Sequence, residues 1–392
     1  MGFFSKTKKK DELVLVFDIG SSSVGGALVW MQESGTPRII YATRETVLLE
    51  KELNVENFLN LTLRSLKVVV AKMCKQGLGK PERVFCVLSS PWFHSETREI
   101  KLEKNSPFVF NAKLADTLTQ KEISLLMEDY LSKHGESTTK ILPIEMKTMS
   151  VNLNGYEVDN PNDKKAQSLD MSIFISFSEE DFVKKVEEIV GQHFHTDSIK
   201  FSSFLMASFV VARDMFINQD KFLLINIGGE VTDISMIKKN VVKDSVSFPV
   251  GCNFITRGLA KDLDIHLDEA NSFLQAYKDN HISESANRKL NDSIKVLKND
   301  WLKVFQESLN NLSHDISIPA TIFITVDQNL APFFSEIIKE EQLNQYTLTE
   351  SKFRIIFLGT EALHGIASFE NEKTMRDSLL VIESIYINHF LR

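Results

Sequence analysis

The stretch VFDIGSSSVGGALV, residues 16–29, decides how the rest of the chain is read. An apolar run at 13–17 ends in Asp18 and passes through Ile19, Gly20, Ser21, Ser22 and Ser23. A second apolar run follows at 27–30, so the segment reads as a hairpin closed by small residues. Glycine admits close backbone approach, and successive amides in such a turn form a concave anion site. The hydroxyls of Ser21, Ser22 and Ser23 suit oxyanions. Asp18 is placed to hold a magnesium ion through water, because that ion keeps most of its hydration shell. A tight hairpin that needs small residues for steric reasons alone gives the same pattern.

The design recurs far downstream in LLINIGGEVTDISMI, residues 223–237. Here Asn226 stands where the first unit has Asp18, followed by Gly228, Gly229 and Thr232. Asn226 hydrogen-bonds but offers magnesium-bound water no carboxylate. Two such units imply two similar lobes whose turns face each other across one cleft, with both turns directed at the same phosphates.

Composition narrows the function classes. The chain has 392 residues, too many for one core, and its 43% hydrophobic and 25% charged content is ordinary globular composition. A net charge of −8 leaves no basic surplus for neutralising phosphates, so nucleic acid is not the expected partner. Three scattered cysteines, Cys74, Cys86 and Cys252, form neither a metal pair nor a disulfide framework and fit a reducing cytoplasm. No apolar run is long enough to span a bilayer. The opening MGFFSKTKKK is basic, with Phe3 and Phe4; it reads as a solubilising tail, with contact to an anionic lipid surface as the alternative. His193 and His195 show the closest approach to metal-ligand spacing, and zinc is not expected there.

Between the two hairpins the periodicity predicts a helix at 57–76, a strand at 84–90, and an alternating polar stretch at 98–110. A helix at 119–133 is expected to be capped by Thr119, with Glu122 three residues on. Strands follow at 144–151 and 169–177, with the turn-rich loop NGYEVDNP (154–161) between them. Helices are read at 179–192 and 201–214. Past the second hairpin, 254–313 is mainly helical, 320–325 and 353–358 return to strand, and 359–368 reads as a loop and a short helix.

These residues resemble the actin, sugar-kinase and chaperone ATPase superfamily. The stretch at 16–29 looks like its first phosphate motif and that at 223–237 like its second. FPVGCNFITRGLAKDL, from Phe248, resembles the pattern that follows in the FtsA and PilM families, with Cys252 where they carry a second glycine. The turn DIGSSSV and the opening residues look like PilM, whereas the long insert and its NGYEVDNP loop look like FtsA. The resemblance departs at the adenosine motif: in IFITVDQNLAPFFSEII (322–338), Val326, Asp327 and Gln328 replace the expected glycines.

The resemblance implies an α/β, actin-like fold of two facing, ribonuclease-H-like lobes with an inserted FtsA-type α+β subdomain. The division would be a basic tail (1–11), a first lobe (12–82 and 178–219), the insert (83–177), and a second lobe (220–257 and 319–358). A helical part (258–318) and C-terminal helices (359–392) complete it. The implied function is that of a cytoplasmic scaffold or adaptor, at the inner face of the cell membrane. It would serve cell division or type IV pilus assembly by self-association and by gripping FtsZ or the tail of a pilus inner-membrane protein. ATP with magnesium is the implied cofactor, bound weakly or lost, with little or no hydrolysis. A working ATPase or small-molecule kinase of the same fold is the rival reading. At the end, Met375, Leu379, Ile382, Tyr386 and Phe390 share one helical face. The charges around that face balance, so a packed final helix is expected over a membrane-lying one.

Overall fold

Seven of the eight residues in ELVLVFDI are buried, the pattern of a central strand covered on both faces. In the computed structural model of this chain that strand, β1 (Glu12–Ile19), organises the first lobe. The structure describes residues 11–32, 35–77, 79–134, 140–194, 199–278, 284–312, 318–326, 330–340 and 354–391. The basic opening (1–10), His195, Asp327 and Gln328 lie outside them.

β1 turns back into β2 (Ser23–Met31), which pairs antiparallel with β3 (Arg38–Thr46). Helix α1 (Val55–Cys74), capped by Asn54 Oδ1 accepting from Asn57 N at 2.9 Å, crosses to β4 (Arg83–Leu88), parallel to β1. The chain then leaves the lobe through β5 (His94–Val109), α2 (Ala112–His134), β6 (Ile141–Leu153), the short β7 (Tyr156–Glu157) and β8 (Lys165–Glu179). It returns by α3 (Glu180–Phe194) to β9 (Ile199–Ser203), parallel to β4, and α4 (Phe204–Met215).

The second lobe opens with β10 (Lys221–Ile227), β11 (Thr232–Lys238) and β12 (Val241–Phe248), an antiparallel meander. Lys239 and Asn240, both at positive φ, make the β11–β12 turn. Three helices, α5 (Cys252–Leu263), α6 (Leu267–Lys278) and α7 (Glu284–Leu312), lead to β13 (Thr321–Val326), parallel to β10. α8 (Ala331–Glu340) and β14 (Arg354–Phe357) extend that sheet. The chain then recrosses to the first lobe, where β15 (Ser368–Phe369) pairs with β3 and α9 (Ser378–Phe390) packs on α4, β1 and β2.

The sheet orders are β15-β3-β2-β1-β4-β9 and β12-β11-β10-β13-β14. With β15 set aside, each lobe has the same plan: a three-stranded meander extended, on the far side of its first strand, by two parallel strands. The duplicated hairpin is thus the visible part of a duplicated sheet. The insert is a separate four-stranded sheet, β5-β8-β6-β7, with its own core around Ile100, Ile123, Leu126, Met171 and Ile175. The second-lobe core centres on the fully buried Trp301, stacked on Phe305 at 5.0 Å and meeting Phe334 edge-on at 5.1 Å.

Several sequence expectations need correction. Residues 83–88 belong to the first-lobe sheet, so the insert's own sheet begins at His94. Helix α2 starts at Ala112, two turns before Thr119, with Asn111 Oδ1 accepting from Leu114 N at 2.9 Å. The segment read as one helix at 201–214 begins as strand, and Ser203 Oγ caps α4 by accepting from Met206 N at 3.3 Å. Residues 359–367 form turns without a helix. α9 is buried on nearly all sides, while Met375 and Phe390, part of the expected stripe, are exposed.

Candidate functional site

The two hairpin turns face each other, and they touch. Glu230 N donates to Ser21 Oγ at 3.1 Å. A methyl group at Gly229 would lie 2.8 Å from Ser22 N and 2.9 Å from Ser21 C, so only glycine lets the second turn lie flat on the first. Polar groups that suited an anion are engaged by the protein. Gly20 N donates to Ser23 O (3.1 Å) and Gly228 N to Val231 O (2.9 Å). Thr232 Oγ1 donates to Val250 O at 2.8 Å. The first amides of α5, Cys252 N and Asn253 N, donate to Gly228 O and Gly229 O, both at 2.8 Å. A helix start that would otherwise attract an anion is capped by the turn's own carbonyls. The cavity beside the contact, bordered by Ser21, Glu230, Asn253 and Arg257, is about 10 Å³, room for one water at most.

Further bonds tie the lobes together. Arg257 on α5 donates through Nη1 and Nη2 to the Glu230 carboxylate at 2.7 and 2.8 Å, and through Nε to Glu50 O of the first lobe at 2.8 Å. Asn253 Nδ2 donates to Glu230 Oε1 at 2.6 Å. On the other side Ser90 Oγ, just after β4, donates to Asp233 Oδ1 on β11 at 2.8 Å. Ser247 Oγ donates to the same oxygen at 2.6 Å. Asn226 is held by Thr325 Oγ1, which donates to its Oδ1 at 2.9 Å, and its own Nδ2 reaches Asp233 Oδ2 at 3.4 Å. Val326 ends β13 half-buried.

Asp18 is buried, and its cation is an arginine. Arg44, reaching across β2 from β3, brings Nη1 within 2.7 Å of Asp18 Oδ2. The same nitrogen donates to Ser23 Oγ at 2.9 Å, while Nε and Nη2 reach Asp377 at 2.5 and 3.0 Å. The guanidinium fits because β2 has Gly25 opposite Asp18: a side chain there would meet Arg44 Nη2 at 2.7 Å. Glu383, in the middle of α9, is fully buried in the same cluster. Burial pushes its carboxyl well above the ordinary range, and the Asp18 charge adds to the shift. Burial raises Asp18 as well, against the pull of Arg44. Asp377 is held below its usual range by Arg44 and by the amides of Leu379 and Leu380, which overcome the cost of burial.

The sequence reading named Asp18, Ser21, Gly229 and the other turn residues, and the structure does bring both turns together. It missed Arg44, Glu230, Arg257, Asp377 and Glu383. One signal was available: Glu383 is a lone carboxylate inside the apolar run SLLVIESIYI, where a charge needs a partner. Among the described residues the arrangement opposes a hydrated metal and a phosphate at the turns; Asp327 and Gln328 of the adenosine loop lie outside them. The residue meant for the metal's water shell is paired with a guanidinium, and the phosphate turns lie against each other. Among the described residues no group of three metal-ligating side chains occurs, and no helix is long and apolar enough to cross a membrane.

The fold places the chain among proteins with the actin-like ATPase fold. A solved chain of the PilM–PilN type IV pilus biogenesis complex superimposes with a TM-score of 0.61 at 11% identity, covering 97% of this chain and 98% of that one. A Bacteroides thetaiotaomicron protein with an actin-like ATPase fold gives 0.42 at 9% identity over 99% of each chain. The ethanolamine utilization protein EutJ from Carboxydothermus hydrogenoformans gives 0.43 at 10% identity over 98% and 91%. No protein-family model and no curated protein matches the sequence.

Proposed function

We propose that this protein is a non-catalytic actin-fold scaffold of the PilM kind, with its lobes held closed by its own side chains where a nucleotide would otherwise bridge them. The observation that carries the reading is the direct contact of the two turns, Glu230 on Ser21, with Arg44 in place of a cation on Asp18. An ATPase or kinase needs space for a triphosphate and a carboxylate free to organise metal-bound water. Both requirements are opposed by the contacts just described. A rigid closed body suits the other use of the fold, presenting surfaces to partners. The full-length likeness to a chain of the PilM–PilN complex supports a protein partner, in this reading the short tail of an inner-membrane protein. The insert, with its own sheet and core, is the surface for that partner or for a second copy.

Isothermal titration of the full chain with magnesium ATP tests the nucleotide part. No binding tighter than about 1 mM is expected, against the micromolar affinity of a working site. Micromolar binding, or turnover above background, would overturn it. Sedimentation velocity over a range of protein concentrations tests self-association, and vesicle flotation tests peripheral contact with an anionic membrane.

A further inference from the structure

A cavity of about 510 Å³ lies where the first lobe, the second lobe and the insert meet, bordering the second turn at Val231. Its volume falls in the range of roughly 300–1,000 Å³ typical of small-molecule sites. The first lobe contributes Ser90, Pro91 and Phe93, and the second lobe Asp233, Ser245 and Ser247. The insert contributes a ring wall of Tyr130, Phe177 and His94. Tyr130 meets Phe177 edge-on with centroids 5.7 Å apart, and His94 lies tilted over Phe177 at the same separation.

The lining is acidic on balance: three carboxylates stand in it, and the imidazole of His94 is the basic group facing Asp233 among the described lining residues. Glu96 and Asp129 share one cation, Arg98, at 3.0 Å each. Asp233 adds a third carboxylate, 8% exposed, with no arginine or lysine among the described lining residues. Neutral hydroxyls and an amide hold it: Ser90 and Ser247 on Oδ1, and Asn226 on Oδ2 at 3.4 Å. A carboxylate accepts about four hydrogen bonds, so Oδ2 retains capacity for a strong donor. Such a lining repels phosphates and carboxylates. An ammonium satisfies it, and an apolar or aromatic body fits against the rings, where a cation also gains from the ring faces.

The geometry points to a binding site for a small organic cation, an amine with an aromatic or alkyl body, lodged between the three parts of the molecule with its ammonium on Asp233. Such a ligand touches all three bodies at once and would fix the angle of the insert against the lobes. The site rests on the closed arrangement of the lobes, which Ser90 and Asp233 help to tie, and not on which partner the scaffold grips.

The test uses the full chain and phenethylammonium as probe, followed by isothermal titration. Saturable binding is expected. The uncharged isostere 2-phenylethanol should bind at least about tenfold more weakly, because it offers Asp233 no charged donor. Asp233→Asn should weaken the amine by a similar factor. Ser245→Trp, which fills the cavity from the β12 side, should abolish binding while the circular dichroism spectrum stays unchanged. The site is refuted if the amine fails to bind, if both variants bind it like the wild type, or if 2-phenylethanol binds equally well.

Discussion

The two lobes carry the same hairpin at the same register and treat its carboxylate in opposite ways. In the first lobe Asp18 sits on the first strand, opposite Gly25; in the second, Asn226 sits on the first strand, opposite Asp233. The acid has changed sides of the hairpin. Gly25 leaves room for Arg44, so Asp18 is neutralised by a full charge. Asp233 has hydroxyls and an amide around it, and burial pushes its carboxyl up. A duplicated backbone thus supports one buried acid set against a guanidinium and another held by hydroxyls and an amide, with burial raising both. The first braces the first lobe from within. The second lines a cavity.

The largest expected effect comes from breaking the charged side of this comparison. Arg44→Met leaves Asp18 and Asp377 buried beside Glu383 with no cation, and losing one partner of a buried pair costs about 3–5 kcal/mol. Urea unfolding followed by circular dichroism should show a loss of that size. A loss below about 1 kcal/mol would mean the cluster does not hold the lobe together. Lysine at position 44 should recover only part of the stability, since it cannot reproduce the forked contact with Asp377.

Next come the contacts between the lobes. Gly229→Ala forces a methyl group against Ser21 and Ser22, and overpacking of this kind costs about 1–3 kcal/mol. Amide hydrogen exchange at residues 20–23 and 228–231 should quicken together in this variant. Exchange that quickens in one turn alone would show that the turns do not depend on each other.

The pH dependence of Glu383 sharpens the comparison. Its carboxyl is raised in the folded protein, so from about pH 4 upward the folded state keeps a proton that the unfolded state releases. Stability from this group is therefore present at acid pH and lost as pH rises towards the folded value. Glu383→Gln removes the dependence, and its stability relative to wild type should rise between about pH 4 and 7. A constant difference across that window would count against a protonated Glu383.

The smallest effect is expected at Asp233. Asp233→Asn keeps the shape and removes a carboxyl raised by burial, so its stability relative to wild type should also rise as pH increases above about 4. A change of about 1 kcal/mol or less is expected, because the group is held by neutral partners. A loss as large as that of Arg44→Met would erase the distinction between the two acids.

Local signals made the hairpins legible. Leu13–Val16 and Leu223–Ile225 are apolar runs, and Gly20, Gly228 and Gly229 mark the turns. The repeat of that unit was enough to anticipate two sheets, and the change of texture past residue 90 was enough to anticipate the insert. β3 and β9 escaped notice. β3, RIIYATRET, shows no clean alternation, and β9 is only five residues long and runs into the cap of α4.

The two strand–turn–strand units, the small residues between their strands and the neutral Asn226 are legible in the residues alone, because backbone sterics and periodicity are properties of short segments. What those turns meet comes from contacts between distant parts of the chain. Arg44 reaches Asp18 across a strand, and Glu383 and Asp377 arrive from the far end of the chain. Arg257 grips Glu230 and the first-lobe backbone together. A carboxylate in a turn reads the same whether it faces a hydrated metal or a guanidinium. The difference is the identity of the group within about 4 Å, where charge interactions in a protein become decisive, and folding alone brings that group there.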